Sequence, residues 1–343
     1  MKEHMRLLIT GGSGFIGTNL VQLALDKGVE LINLDWNPPL KAAHRPHWRL
    51  WNLMDVEATA KELAAFKPTH LVHLAARTDT DIQDDMDAYQ QNHKGTAILL
   101  EAIRECPSIE RLVITSTQFV CEAGHQPTGD MDFKPFTLYG ETKRLCEMET
   151  RMAGLGCVWS IIRPTTIWGP WSLRYRDVLF KVMRKGLYFH PGKKQVIRSY
   201  GYVGNVVWQI WRILESDRTV VDGKVFYVGD QPMDLRIWVE EVSEQLVHKA
   251  VRYIPGPAVR AMALAGDVIK PLGLPFPITS GRYRSMTSDY ITPMDATIAA
   301  LGEAPFSLEE GVKATVAWYD NESAGVPHPE RIDVRTAKPL SAE

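Results

Sequence analysis

The sequence is short of cysteine, of surplus charge and of long apolar runs, and each shortage removes a class of protein. Four of the 343 residues are cysteine, at positions 106, 121, 146 and 157, with no C-x-x-C pair. That spacing excludes ordinary zinc modules and disulfide-rich secreted scaffolds, and it suits thiols kept reduced in the cytoplasm. Lys+Arg 39 against Asp+Glu 41 gives a formal net charge of -2. Such a chain has no overall positive field for nucleic acid or an anionic membrane, so neither is expected as a partner. No stretch approaches the roughly 18 apolar residues of a membrane-crossing helix. The apolar run within Met1–Thr10 is too short for a secretory signal. Ten histidines are scattered without an H-E-x-x-H pattern, so no metal is assigned. What remains is a soluble, cytoplasmic chain of ordinary globular composition, with room for one or two domains.

Within it, short apolar runs alternate with amphipathic ones. Strands are expected at Arg6–Thr10, Leu31–Asp35, His70–Leu74, Leu112–Thr115 and Val158–Ile162. Helices are expected at Phe15–Lys27, Val56–Phe66, Asp84–Glu105 and Leu138–Ala153. This alternation predicts an α/β fold with a Rossmann-type doubly wound parallel sheet, helices covering both faces. After Pro164 the rhythm changes. Helical patterns fall at Arg176–Lys185, Val203–Glu215, Leu235–His248 and Ala258–Ile269, with strands at Val196–Tyr200 and Val225–Val228. Five prolines in residues 255–277 suggest an irregular lid. Ser307 and Glu310 form a capping box for a last helix. The expected division is a dinucleotide-binding domain over 1–165 and a smaller, partly discontinuous substrate domain over 166–325. Segments such as 203–230 are expected to return to the first domain, and 326–343 to form a tail.

The sharpest motif is Thr10-Gly-Gly-Ser-Gly-Phe-Ile-Gly17, between the first strand and the first helix. Gly11, Gly14 and Gly17 form a G-x-x-G-x-x-G turn. The first glycine allows the bend, the second lets a pyrophosphate approach the backbone, and the third lets helix and strand pack closely. The helix N-terminus, from Phe15 and Ile16, offers free N–H groups to an anion. Asp35 ends the next strand, where a carboxylate accepts from a ribose 2′-hydroxyl and repels a 2′-phosphate. NAD is therefore favoured over NADP, with Lys41 and Arg45 downstream as possible moderators.

Tyr139 and Lys143 lie at i and i+4 of an expected helix, on one face. An ammonium beside a phenol stabilises the phenolate and draws its pKa towards neutrality. Thr117, at the end of an expected strand, can bind the same substrate oxygen, since strand C-termini line the ligand crevice of a doubly wound sheet.

Together these residues resemble the extended short-chain dehydrogenase/reductase family, which includes NAD-dependent sugar-nucleotide epimerases and dehydratases. Further similar segments are Asp55-Val56, His73-Leu-Ala-Ala76, Asn92-His-Lys-Gly-Thr96, Thr115-Ser-Thr117, Arg163-Pro164 and Gly169-Pro170. The resemblance implies that Tyr139 is the acid/base, that Lys143 holds the nicotinamide ribose, and that Thr117 binds the reacting oxygen with Ser116 beside it. It places NAD against the glycine turn, Asp35, Asp55, Val56, Leu74, Ala75, Ala76, Asn92, Lys143 and Pro164. It places a substrate, a nucleotide sugar, against Arg77, Thr117, Thr166, Arg198 and Arg284, with Arg282 a further candidate. It also implies a homodimer through the helices near 84–105 and 138–153.

Departures narrow the chemistry. Gln118-Phe119 stand where the family's dehydratases carry an acid, so dehydration is disfavoured. Cys121 is open to two readings, a second acid/base or a packed thiol. The leading expectation is epimerisation of a nucleotide sugar by hydride transfer through a transient ketone. A net dehydrogenase or ketoreductase of a sugar nucleotide or hydroxysteroid-like alcohol stays open, as does a non-catalytic NAD-binding protein.

Overall fold

The structure is a computed structural model and describes residues 5–323 apart from 81, 83, 275 and 277. The tail expected at 326–343 lies outside the described residues. Seven strands form one sheet: β1 (Arg6–Thr10), β2 (Glu30–Asp35), β3 (Trp48–Leu50), β4 (His70–His73), β5 (Arg111–Thr115), β6 (Val158–Pro164) and β7 (Lys224–Val228). Their order is β7-β6-β5-β4-β1-β2-β3, and every pairing is parallel. This is the Rossmann-type doubly wound sheet that the alternation predicts.

The helices that cover it are α1 (Phe15–Asp26), α2 (Val56–Phe66), α3 (Gln90–Arg104), α4 (Leu138–Met152) and α5 (Val203–Glu215). The two-residue period of β1 explains why both faces need cover. Leu7 and Ile9 enter a core with Leu20 and Val21 of α1 and Val206 and Ile210 of α5. Leu8, between them, enters the opposite core with Leu63 of α2 and Leu99 and Ile103 of α3. All three strand residues are fully buried, each stabilising the fold by about 1.5–3 kcal/mol.

Some elements differ from the expectation. β3 is a three-residue edge strand with two exposed residues, too short to show a period. The helix expected from Asp84 begins with a 3-10 turn at Asp87 and becomes α-helical only at Gln90. Residues 255–277 are not simply a lid: Gly256–Ile269 is a regular helix, with Pro255 as N-cap and Pro257 in its first turn. Proline is tolerated there because those N–H groups have no intrahelical partner. The capping box forms, Ser307 N donating to Glu310 (2.8 Å) and Glu310 N to Ser307 Oγ (3.2 Å), and the last helix runs Leu308–Ser323.

Candidate active site

The sheet order reverses between β1 and β4, and the strand ends there open the ligand crevice of such a fold. β1 ends at Thr10 and α1 starts at Phe15. Gly11 has φ +73°, and a Cβ there would sit 2.5 Å from Ala75 N. A Cβ on Gly17 would lie 2.3 Å from Gly11 O. Gly14 is the N-cap and supplies no side-chain acceptor to α1. The first-turn N–H groups, at Phe15, Ile16 and Gly17, therefore present the positive helix end to an anion. Asp35 closes β2 beside this turn: Oδ2 accepts from Ser13 N (2.9 Å) and Oδ1 from Asn37 N (2.8 Å). A cradle that side chains would fill, an anion-seeking helix end and a carboxylate beside them fit a dinucleotide.

Asp55 is the N-cap of α2, accepting from Ala58 N at 2.9 Å, and Val56 begins that helix in an exposed position. Leu74 N donates to Thr10 O (2.9 Å), so the Leu74–Ala76 stretch lies against the end of β1. Asn92 clasps the next residue, taking Arg77 N on Oδ1 (2.8 Å) and giving Nδ2 to Arg77 O (3.0 Å). It also donates to Thr142 Oγ1 (3.1 Å), tying α3 to α4. His73 bridges Thr10 (2.7 Å) and Thr96 (3.1 Å) in full burial. Burial, reinforced by the Lys143 charge, pushes its pKa down to about 3, so it stays neutral.

Thr137 N-caps α4 by accepting from Gly140 N (3.0 Å), which sets Tyr139 in the first turn. Tyr139 is buried, and burial pushes its phenol well above the ordinary range while a hydrogen bond from Thr117 offsets part of the rise. Lys143, one turn on, is buried too, and its Nζ donates to Thr115 O at 2.8 Å. Burial lowers the Lys143 pKa against the charges of Cys146 and Glu147. Burial, rather than the ammonium, thus leads in setting the phenol of the free chain.

Glu147 was not anticipated. It sits one turn beyond Lys143 on the same helix face and is fully buried. It accepts from Ser116 Oγ (2.6 Å), Arg163 Nε and Nη2 (2.8 and 2.9 Å) and Arg151 (3.1 Å). Burial alone would lower the Arg163 pKa, and the Glu147 hydrogen bonds and charge raise it instead. Ser116 is thus anchored behind the strand end, and Thr117 is left to face Tyr139. The i+8 spacing from Tyr139 is the signal that could have found Glu147.

Beyond Thr117 the chain makes a 3-10 turn, Gln118–Val120. Gln118 Nε2 donates to Thr166 Oγ1 (2.9 Å), and its buried Oε1 has no protein partner. The Tyr290 hydroxyl reaches the carbonyls of Gln118 (2.9 Å) and Cys121 (2.5 Å), clamping this turn from the far end of the chain. No local sequence signal marks it. The Cys121 thiol donates to Asp132 O (3.3 Å) and lies 3.9 Å from the Tyr227 hydroxyl, in a buried setting. Pro164 ends β6 opposite Val228.

Of the residues expected at the substrate, Thr117, Thr166 and Arg198 come together around Gln118 and Tyr290. Arg198 is buried, its guanidinium 5.4 Å from the Tyr290 ring and its Nε without a partner. Burial raises the pKa of the half-buried Tyr200 phenol, and the charges of Arg198, Arg282 and Arg174 oppose that rise. Arg77 is committed elsewhere, to Asp79 (2.7 Å) and Ala88 O (3.1 Å). Arg284 is exposed on the helix Ser280–Thr287, where Arg282 is the half-buried neighbour. Among the described residues no group of three or more His, Cys, Asp or Glu could hold a metal, and no helix is long and apolar enough to cross a membrane.

Comparison with known proteins places the chain by family and by fold. The chain is 28% identical over 278 residues to a 3β-hydroxysteroid dehydrogenase/Δ5→4-isomerase of Mycobacterium tuberculosis, covering 75% of this chain and 74% of that one. It is 26% identical over 327 residues to an N-acetyl-α-D-glucosaminyl-diphospho-ditrans,octacis-undecaprenol 4-epimerase of Escherichia coli O157:H7, covering 91% and 94%. In fold it is similar to the UDP-glucose 4-epimerase of Thermotoga maritima, with a TM-score of 0.72 at 22% identity over 93% of this chain and 100% of that one. A UDP-glucuronic acid 4-epimerase of Bacillus cereus, solved with NAD, gives 0.71 at 18% identity, covering 93% and 100%. The profile of the NAD dependent epimerase/dehydratase family matches residues 7–229. Glycine cradle, phenol, ammonium and parallel sheet therefore lead to one conclusion: the chain is an enzyme of the NAD-dependent epimerase/dehydratase family, of the extended short-chain dehydrogenase type.

Proposed function

We propose that this enzyme epimerises a nucleotide sugar through a transient ketone. NAD, held by the glycine cradle, the α1 N-terminus, Asp35 and Lys143, supplies reversible two-electron oxidation of an alcohol carbon. The chain's own part is proton transfer and positioning. Thr117 Oγ1 binds the reacting oxygen. Tyr139 Oη takes the proton of the substrate hydroxyl and returns it, with Lys143 as the adjacent cation that stabilises the phenolate. In this reading the protein acts in the cytoplasm as a homodimer paired through α3 and α4.

The observation that carries the reading is a chain of rings from the phenol to a buried cation. Tyr139 meets Phe119 edge-on at 6.4 Å, Phe119 stacks with Tyr290 at 6.2 Å, and Arg198 lies 5.4 Å from Tyr290. A guanidinium with an unpartnered Nε at that remove suits a diphosphate attached to the reacting sugar. One observation favours a second reading. Phe119 and Phe136 make an apolar wall beside Tyr139, with centroids 5.3 Å apart, which suits an apolar alcohol and net oxidation.

A panel of nucleotide sugars and hydroxysteroids separates the two. Epimerisation predicts interconversion without net NADH, loss of about 10²–10⁴ in kcat for Tyr139→Phe, and a raised KM for Arg198→Met. Stoichiometric NADH with a steroid alcohol, unaffected by Arg198→Met, would establish the second. No NAD(H) in the purified protein together with full activity of Tyr139→Phe would refute both.

A further inference from the structure

Helix Gly256–Ile269 is apolar apart from two residues, yet only one side of it is covered. Its charged residues are Arg260 and Asp267 alone, and Asp267 is occupied in accepting from Ser280 N at 2.9 Å. Val259 and Ala263 are fully buried and pack with Ile278, Phe276 and Tyr283. The opposite side carries Arg260, Leu264 and Val268 one turn apart, with Asp267 beside them, and Leu264 is 57% and Val268 68% exposed. Leu272 (71%) and Leu274 (57%) follow in the next turn. Single exposed apolar residues are ordinary, but four within one short segment mark a surface that something covers.

The charge around this patch says what covers it. From 256 to 284 the chain has four cations, Arg260, Lys270, Arg284 and the half-buried Arg282, and a single anion, Asp267, whereas Lys249, just before this segment, lies beside Glu240, Glu241 and Glu244. The whole chain carries a net charge of -2, so the basic excess is local. A second copy on this face would bring like charges together. An anionic lipid surface would neutralise them while its acyl boundary takes the leucines and the valine. We infer that this segment docks the enzyme peripherally on an anionic bilayer. The inference is independent of the substrate reading above and departs from the sequence expectation that no membrane is a partner, which rested on the mean charge of the chain.

The test is co-sedimentation of the full chain with phosphatidylcholine vesicles, with and without phosphatidylglycerol, in low and high salt. Binding is expected only with the anionic lipid, weakening as salt rises. Arg260→Gln or Lys270→Gln should each lower the partition coefficient about fivefold, and the triple variant Leu264→Ser, Val268→Ser, Leu272→Ser should lower it by more than about tenfold. NAD content and melting temperature serve as folding controls, since these side chains face solvent. Failure of the wild type to pellet with anionic vesicles, or pelleting that the triple variant leaves unchanged, overturns the inference. So does light scattering that shows a dimer which the triple variant alone dissociates.

Discussion

Replacing Glu147 by glutamine should be among the costliest single changes in the protein. Glu147 and Arg163 are 0% and 1% exposed, and two short bonds join them. Glutamine keeps the volume and an acceptor for Ser116 but removes the charge. The guanidinium would then be left with Asp130 O, at 2.6 Å, and the Tyr227 hydroxyl, at 3.2 Å. A buried charge stripped of its counter-ion costs about 3–5 kcal/mol. For a chain of this size that lowers Tm by about 4–7 °C, readable by calorimetry and by urea unfolding. The pair Glu147→Met, Arg163→Met removes both charges and should cost less than the sum of the two single methionine changes. If Glu147→Gln stays within about 1 kcal/mol of wild type, or if the double change is fully additive, the buried pair does not hold the strand end and the reasoning fails.

Three further outcomes are expected. Gly17→Ala places a methyl 2.3 Å from Gly11 O; it should cost about 1–3 kcal/mol in stability and abolish the heat of NAD binding in titration calorimetry. Asp35→Ala should weaken NAD by about 1.5–3 kcal/mol and narrow the gap to NADP, measured as the ratio of the two dissociation constants. His73 sets an acid limit: its pKa is about 3 in the fold against 6.5 unfolded, so the stability it contributes is whole above pH 6.5 and is lost as pH falls towards 3. The loss is about 1.4 kcal/mol per pH unit. Asp230, pushed up to about 6 by burial, runs the opposite way. The measurement is the slope of unfolding free energy between pH 6.5 and 5, which should fall in His73→Gln by up to about 1.4 kcal/mol per pH unit, while His44 and His70, lowered by burial to about 4, keep their own share.

What the sequence shows plainly is what local rules govern. α2 and α5 have the expected limits to the residue, because apolar period and flanking breakers lie within the segments themselves. The glycine turn reads well because sterics at Gly11 and Gly17 allow no other residue. Glu147 and the Arg163 pair were hidden because a buried acid on a helix looks like any solvated one until its partner strand is placed. β3 was hidden because three residues carry no period. The arginines were sorted only by the fold: Arg77 is drawn off by Asp79, and Arg284 points to solvent one residue pair from the half-buried Arg282.

Tyr290 shows why the substrate half resists reading from its own sequence. Its backbone joins the strand that bears Arg198, with Tyr290 N donating to Ile197 O and Ser199 N donating to Tyr290 O, both at 2.9 Å. Its side chain then crosses to the carbonyls of Gln118 and Cys121, in the turn that follows Thr117. In the proposed reading, a ligand that draws on the Arg198 guanidinium pulls on the same bridge that fixes the turn after Thr117. Three segments more than 70 residues apart in sequence meet there, and none of them is distinctive alone. On that reading, specificity for the group beyond the reacting carbon is written in a contact between segments, whereas the cofactor turn and the Tyr-x-x-x-Lys pair are each written in one.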